Sequence, residues 1–89
     1  MSVLNETLPK AAEAYEHMTD VVLREDNFLD PKTKELIAIV AGVLVRCQPC
    51  IDIHLPRAYE VGCTREEISE ALAVAMCISA GSQIAWTKI

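Results

Sequence analysis

Hydrophobic and polar positions alternate with the period of an α-helix at the start of the chain, and later give way to helices that are nearly apolar all round. No stretch of useful length shows the period of a strand. Over residues 5–24, Leu8, Ala11, Ala12, Tyr15, Met18 and Val22 recur at helical spacing, with Glu6, Lys10, Glu13, Glu16 and Asp20 on the other face. The spacing predicts a first helix there. His17 falls among its polar positions and reads as a solvated surface residue without a role. The segment from Glu25 to Pro31 interrupts the pattern, and Asp30 before Pro31 pairs a good N-cap with a good first helical residue. A second helix then runs to about Arg46. It carries Leu36, Ile37, Ile39, Val40, Val43 and Leu44, and is nearly apolar all round beyond Glu35. Such a helix is expected to be buried on most sides, with Gly42 inside it as either a close-packing point or a weak spot.

A third helix is predicted from around Gln48, stopping at Gly62 after Val61, with a kink at Pro56. Thr64-Arg65-Glu66-Glu67 has the form of a capping box and opens a fourth helix, Arg65 to about Trp86. From Ala71 onward that helix has no charged face at all, so it has to be covered on every side. The expected fold is all-α: one domain, residues 1–89, folded as a bundle of about four helices.

Composition bears on how such a bundle stays folded. A chain of 89 residues buries only roughly 60–65% of its unfolded surface. Yet 52% of its residues are hydrophobic. The excess points to a subunit interface and hence to a homo-oligomer. A net charge of −5 argues against nucleic acid and anionic membrane as partners, since both attract clustered Lys and Arg. No basic–apolar–small leader pattern opens the sequence at Met1-Ser2-Val3. The charge-free run Ala71–Thr87 is slightly short for a membrane span and contains Ser79, Ser82 and Gln83. The expectation is a soluble, cytoplasmic protein with no membrane partner. In that setting four cysteines read as reactive or buried thiols, not as a disulfide framework.

The stretch that carries chemistry is Cys47-Gln48-Pro49-Cys50-Ile51-Asp52-Ile53-His54. If it opens a helix, Cys50 and His54 share one face, with Cβ atoms about 5–6 Å apart. Pro49 suits the first turn, and the field of a helix N-terminus favours a thiolate. A thiolate is a nucleophile, a second thiol can trap what forms on it, and an imidazole can move protons. The bland alternative is two small buried hydrophobes. Structural zinc wants four ligands, and Cys47, Cys50 and His54 supply three, with Cys63 and Cys77 isolated. Neither a metal nor another cofactor is expected. A thioredoxin-type site would place CxxC after a strand, and no strand is predicted. Glu35 is the one carboxylate within the apolar body of the second helix. It is either the proton acceptor of this site or a residue placed for the helix dipole, and the residues leave both open.

Glu35, Cys47-x-x-Cys50-x-x-x-His54, Ala58 and Gly62-x-Thr64-x-Glu66-Glu67-Ile68 together resemble the carboxymuconolactone decarboxylase family, in its AhpD-like alkylhydroperoxidase branch. The similarity runs from about Asp30 to the C-terminus, some two-thirds of the chain. The resemblance implies an all-helical fold assembled as trimers or hexamers, and thiol-dependent reduction of hydroperoxides by an external thiol or protein dithiol. It implies that Cys50 attacks the peroxide, that Cys47 resolves the sulfenic acid to a disulfide, and that His54 and Glu35 relay protons. Pro49 stands where the best-known peroxidases of this branch carry a histidine. The family name also covers cofactor-free lactone decarboxylases, which generally lack the CxxC; acid–base chemistry by His54 and Glu35 is the second reading, and a non-catalytic assembly module the third. The relay predicts a Glu35 carboxylate within one water of His54. Because Glu35 lies roughly 18 Å of helical rise before Cys47, this needs obliquely crossing helices, a break near Gly42, or a contribution from another subunit.

Overall fold

The computed structural model describes residues 2–87, which are helical apart from short connections. The helices are α1 (Ser2–Thr7), α2 (Pro9–Thr19), α3 (Pro31–Leu44), α4 (Gln48–Glu60) and α5 (Arg65–Trp86), with a π-helical turn at Asp20–Arg24. No strand occurs among the described residues. They group into two units, 1–31 and 32–89.

In the first unit the single helix expected over residues 5–24 is two helices and a wide turn. Pro9 is the cause of the division. Proline disfavours the α-region for the residue before it, and Leu8 sits at φ −135°, ψ 65° while Pro9 opens α2. The hydrogen bonds Leu8 N–H to Leu4 O (2.8 Å) and Ala12 N–H to Leu8 O (3.1 Å) carry the helical path across the break, so the apolar periodicity survives it. At the other end Glu25 N–H reaches back five residues to Asp20 O, and the backbone then turns extended at Glu25. Ala12 is buried, whereas Leu8, Tyr15, Met18 and Val22 each remain about half exposed.

In the second unit α3, α4 and α5 meet around Ile39, Ala58, Cys63 and Ile68, with Leu36, Ile51, Leu55 and Leu72 packed against them. Among the described residues no large side chain is completely buried. The core of one chain is therefore thin. The capping box forms as its sequence predicts: Thr64 Oγ1 accepts from Glu67 N–H (3.1 Å), and Glu67 Oε1 accepts from Thr64 N–H (2.8 Å). The Thr64 amide, seconded by Lys32 at 3.0 Å from the carboxylate, holds Glu67 below the usual glutamate range.

The connections after α3 and α4 have the same construction. After α4, Gly62 (φ 94°) donates to Tyr59 O and Cys63 N–H reaches back to Ala58 O. After α3, Arg46 (φ 59°) donates to Val43 O and Cys47 N–H reaches back to Gly42 O. This pair of bonds, closed by one left-handed residue, satisfies carbonyls that the helix end would otherwise leave orphaned. It also explains why α3 stops at Leu44 and not near Arg46. Glycine takes the left-handed conformation freely, whereas a side chain there costs about 1–2 kcal/mol. Arg46→Gly should therefore raise stability by about 1 kcal/mol, an increase of several degrees in Tm, measurable by thermal unfolding followed by circular dichroism.

Gly42 is a close-packing point, and α3 runs through it unbroken. A Cβ added there would lie 3.0 Å from Ile51 Cδ1 and 3.3 Å from Cys50 Cβ, so α3 and α4 touch at this residue. α4 likewise continues past Pro56, whose missing N–H leaves the Asp52 carbonyl without its helical donor.

Within one chain, the two apolar helices expected to be covered, α5 in part by neighbouring subunits, leave much of their surface exposed. Ile37, Val43 and Leu44 on α3 are all more than 40% exposed, so this helix is not covered on most sides by its own chain. α5 is a 22-residue helix, and by length and composition alone it is sufficient to cross a membrane, although the charge-free run taken by itself is short. Only 11% of its most apolar stretch is buried within the chain. Cys77 is exposed there, whereas Cys63 is buried in the core.

Candidate active site

The site is assembled at the α3–α4 hairpin. Because the first predicted helix is divided, the CxxC helix is α4, the fourth in the chain. Cys47 is its N-cap, in extended conformation at φ −103°, ψ 91°. Cysteine is a rare cap, but its Sγ does what a serine oxygen would do and accepts the Cys50 N–H at 3.2 Å. Pro49 occupies the first turn, where its missing N–H leaves no helical bond unmade. Gln48 Nε2 donates to Asp52 Oδ1 at 2.8 Å and ties the same turn together on its solvent side. Cys47 and Cys50 are joined as a disulfide, so this is the oxidised form of the pair. Both are partly buried.

One turn beyond Cys50, His54 Nδ1 lies 2.8 Å from Glu35 Oε2 of the same chain. Both side chains are largely withdrawn from solvent, at 14% and 8% exposure. The contact follows from the packing at Gly42. With Gly42 set against Cys50 and Ile51, Glu35 lies seven residues up α3 and His54 three to four along α4. The two helices therefore return with an axial offset of only about 5 Å, which a glutamate and an imidazole span together. Neither a break in α3 nor a second subunit is needed. Glu35 is also beyond the first turn of α3, so the helix-dipole reading of this residue gives way to that of a buried partner of His54.

The hydrogen bond assigns the ring. An ionised carboxylate only accepts, so with Glu35 ionised the imidazole proton sits on Nδ1, and Nε2 is the nitrogen left to exchange protons. Cys50 and His54 are separated by four residues on one helix, which puts them on the same face. The arrangement can thus hold a dithiol, an imidazole with a defined tautomer, and a carboxylate that orients it. Cys63 Sγ instead donates to the Lys32 carbonyl at 3.6 Å, away from this grouping.

Two hollows flank the disulfide turn. A cleft of about 270 Å³ is lined by Gly42, Val43, Arg46, Cys47, Gln48 and Ile51. A larger groove of about 610 Å³ lies between the end of α3 and the body of α5, with Leu44, Leu72 and Met76 among its walls. Val43 and Arg46 line both. Sequence reasoning missed Arg46. The available signal was that α3 must turn sharply before Gln48-Pro49, and no glycine or asparagine stands there to do it.

The sequence profile of the carboxymuconolactone decarboxylase family matches residues 9–87. An uncharacterised protein of the cox locus of Paracoccus denitrificans is 39% identical over 64 residues, 72% of this chain and 58% of that protein. An uncharacterised Haemophilus influenzae protein is 40% identical over 55 residues, covering 62% of this chain and 48% of that one. The chain thus spans about half the length of these curated relatives. A crystal structure of a Methanobacterium thermoautotrophicum protein, solved as a structural-genomics target, superposes with a TM-score of 0.80 at 39% identity, covering 90% of this chain and 91% of that one.

Proposed function

This chain belongs to the carboxymuconolactone decarboxylase family, and we propose that it is a thiol-dependent oxidoreductase that reduces hydroperoxides through Cys47 and Cys50. The observation that carries this reading is a CxxC pair able to close as a disulfide, with a Glu35-bound imidazole one helical turn beyond it. A decarboxylase has no use for the second thiol, whereas a dithiol peroxidase requires it.

In the proposed cycle the Cys50 thiolate attacks one oxygen of ROOH and the O–O bond breaks. The leaving alkoxide takes a proton from His54 and departs as ROH, and Cys50 becomes a sulfenic acid. Cys47 then attacks the Cys50 sulfur and forms the disulfide; the sulfenic oxygen leaves as water, taking the one proton it needs from the Cys47 thiol by way of His54. Two external thiols, or one protein dithiol, restore the pair by exchange through a mixed disulfide. The balance is ROOH + 2 R′SH → ROH + H₂O + R′SSR′. Among the chain's own residues, Glu35 holds the ring in the tautomer whose free nitrogen can give and take these protons. No metal or organic cofactor enters the cycle. The enzyme is further proposed to be cytoplasmic and to act as a homo-oligomer, a trimer or hexamer whose neighbouring subunits cover the exposed apolar surface of α5.

The test is dithiothreitol-driven reduction of cumene hydroperoxide by the purified protein beside Cys50→Ser and Cys47→Ser. Turnover is expected in the wild type and should be absent from both variants. Activity that survives the loss of either cysteine would overturn the dithiol reading and favour acid–base chemistry by His54 and Glu35. Failure of the cysteines to form a disulfide under peroxide would return them to the role of packing residues.

A further inference from the structure

We propose that Arg46 makes the oxidised site selective for an anionic thiol, so that the molecule which reduces the Cys47–Cys50 disulfide carries a carboxylate or phosphate group. The inference rests on Cys47 and Cys50 being a redox pair and adds the chemical class of their reductant.

The argument begins with a conformational outlier. Among the described residues Arg46 is the one non-glycine with positive φ, at 59°. The corresponding position after α4 is held by Gly62, in a turn with the same pair of hydrogen bonds. Glycine would fill the Arg46 position without strain, so the fold itself gives no reason for an arginine. Strained non-glycine residues of this kind cluster at functional sites. What the arginine adds is a charge in a particular place. It directly precedes Cys47 and lines both the cleft of about 270 Å³ against the disulfide and the adjoining groove of about 610 Å³. Among the described residues it is the only charged one lining either hollow. Its side chain is exposed and enters no ion pair among the described residues. A cation is thus presented at an otherwise largely apolar entrance, on a chain whose net charge is −5. Guanidinium is suited to carboxylate and phosphate, which it can hold by paired N–H bonds.

The structure is that of the disulfide form, and what a disulfide meets in the cycle is its reductant. An anionic thiolate entering the cleft attacks one sulfur of the pair and forms a mixed disulfide with it, while the other cysteine leaves as a thiolate. A second thiol resolves the mixed disulfide, releasing the oxidised reductant as its own disulfide and leaving both cysteines reduced. Two electrons pass from two thiols to one disulfide. With its anionic group on Arg46 and its alkyl part against Val43, Leu44 and Met76, such a thiol is matched by both halves of the entrance.

The test uses two thiols of equal chain length, mercaptohexanoate and mercaptohexanol. The rate at which each reduces the Cys47–Cys50 disulfide of the intact protein is followed by alkylation and mass spectrometry. In the wild type, mercaptohexanoate should react about fivefold faster than mercaptohexanol. The ratio should shrink with added salt, fall to one or below in Arg46→Gly, and persist in Arg46→Lys. Thermal unfolding of each variant establishes that it is folded. A ratio near one in the wild type, or a ratio unchanged in Arg46→Gly, overturns the proposal. Neither result touches the peroxidase reading, because no hydroperoxide is present. A pair that neither thiol reduces overturns both.

Discussion

Glu35→Gln should slow hydroperoxide reduction by about two to three orders of magnitude, the usual contribution of positioned acid–base groups, and leave the protein folded. The amide keeps the size of the carboxylate and can still meet His54 Nδ1 across the 2.8 Å gap. It offers both a donor and an acceptor, however, so it no longer dictates which ring nitrogen carries the proton. It also removes the negative charge that stabilises an imidazolium whenever His54 holds an extra proton. The pair is mostly buried, at 8% and 14% exposure, and removing one partner of such a pair is also destabilising. A fall in rate alone would therefore be ambiguous. The double variant Glu35→Leu/His54→Phe separates the two effects. Replacing both partners by apolar groups relieves the burial of polar atoms, so its Tm should lie close to that of the wild type while turnover is lost. If instead Glu35→Gln retains full turnover, the contact is structural and the relay does not exist. The readouts are steady-state peroxidase kinetics and thermal unfolding on the same preparations.

The hairpin also shows which features could be read from sequence. The capping box at Thr64 and the stop at Gly62 are local: each is decided by a few neighbouring residues, and each lies where its sequence predicts. The same holds for Pro49 in the first turn of the CxxC helix. Pro9 was equally visible, but its apolar neighbours keep helical spacing across it, and periodicity alone merged two helices into one. The Glu35–His54 contact spans 19 residues. Counted along an ideal hairpin the two groups do not meet, because their register depends on where α3 and α4 touch. That point is Gly42, and sequence left its role open between a packing point and a weak spot. Arg46 escaped notice for a different reason. Its side chain carries no sign of its backbone angle, and a turn without glycine resembles a helix that simply continues.

A single charge on α5 should have the largest effect on the state of the protein: Ile78→Glu is expected to convert the proposed oligomer of three or six chains into monomers of 9.8 kDa with a lowered Tm. Val74, Met76, Ile78 and Ile84 are each between 58% and 69% exposed within one chain. Burying each of these side chains contributes about 1.5–3 kcal/mol, so a neighbour that covers several of them offsets the thinness of a core in which no large side chain among the described residues is completely buried. In a closed ring one substitution recurs at every interface, and an unpaired carboxylate withdrawn from water costs several kcal/mol at each. Ile78 lines neither hollow beside Cys47, so a change in mass need not involve the walls of the dithiol site. Light scattering coupled to gel filtration measures the outcome, with Ile78→Val expected to keep the wild-type mass. Because α5 is also long and apolar enough to cross a membrane, the wild type is sedimented with and without vesicles in the same series. A monomeric wild type would mean that no second copy covers this helix. Co-sedimentation that Ile78→Glu abolishes would mean that lipid does.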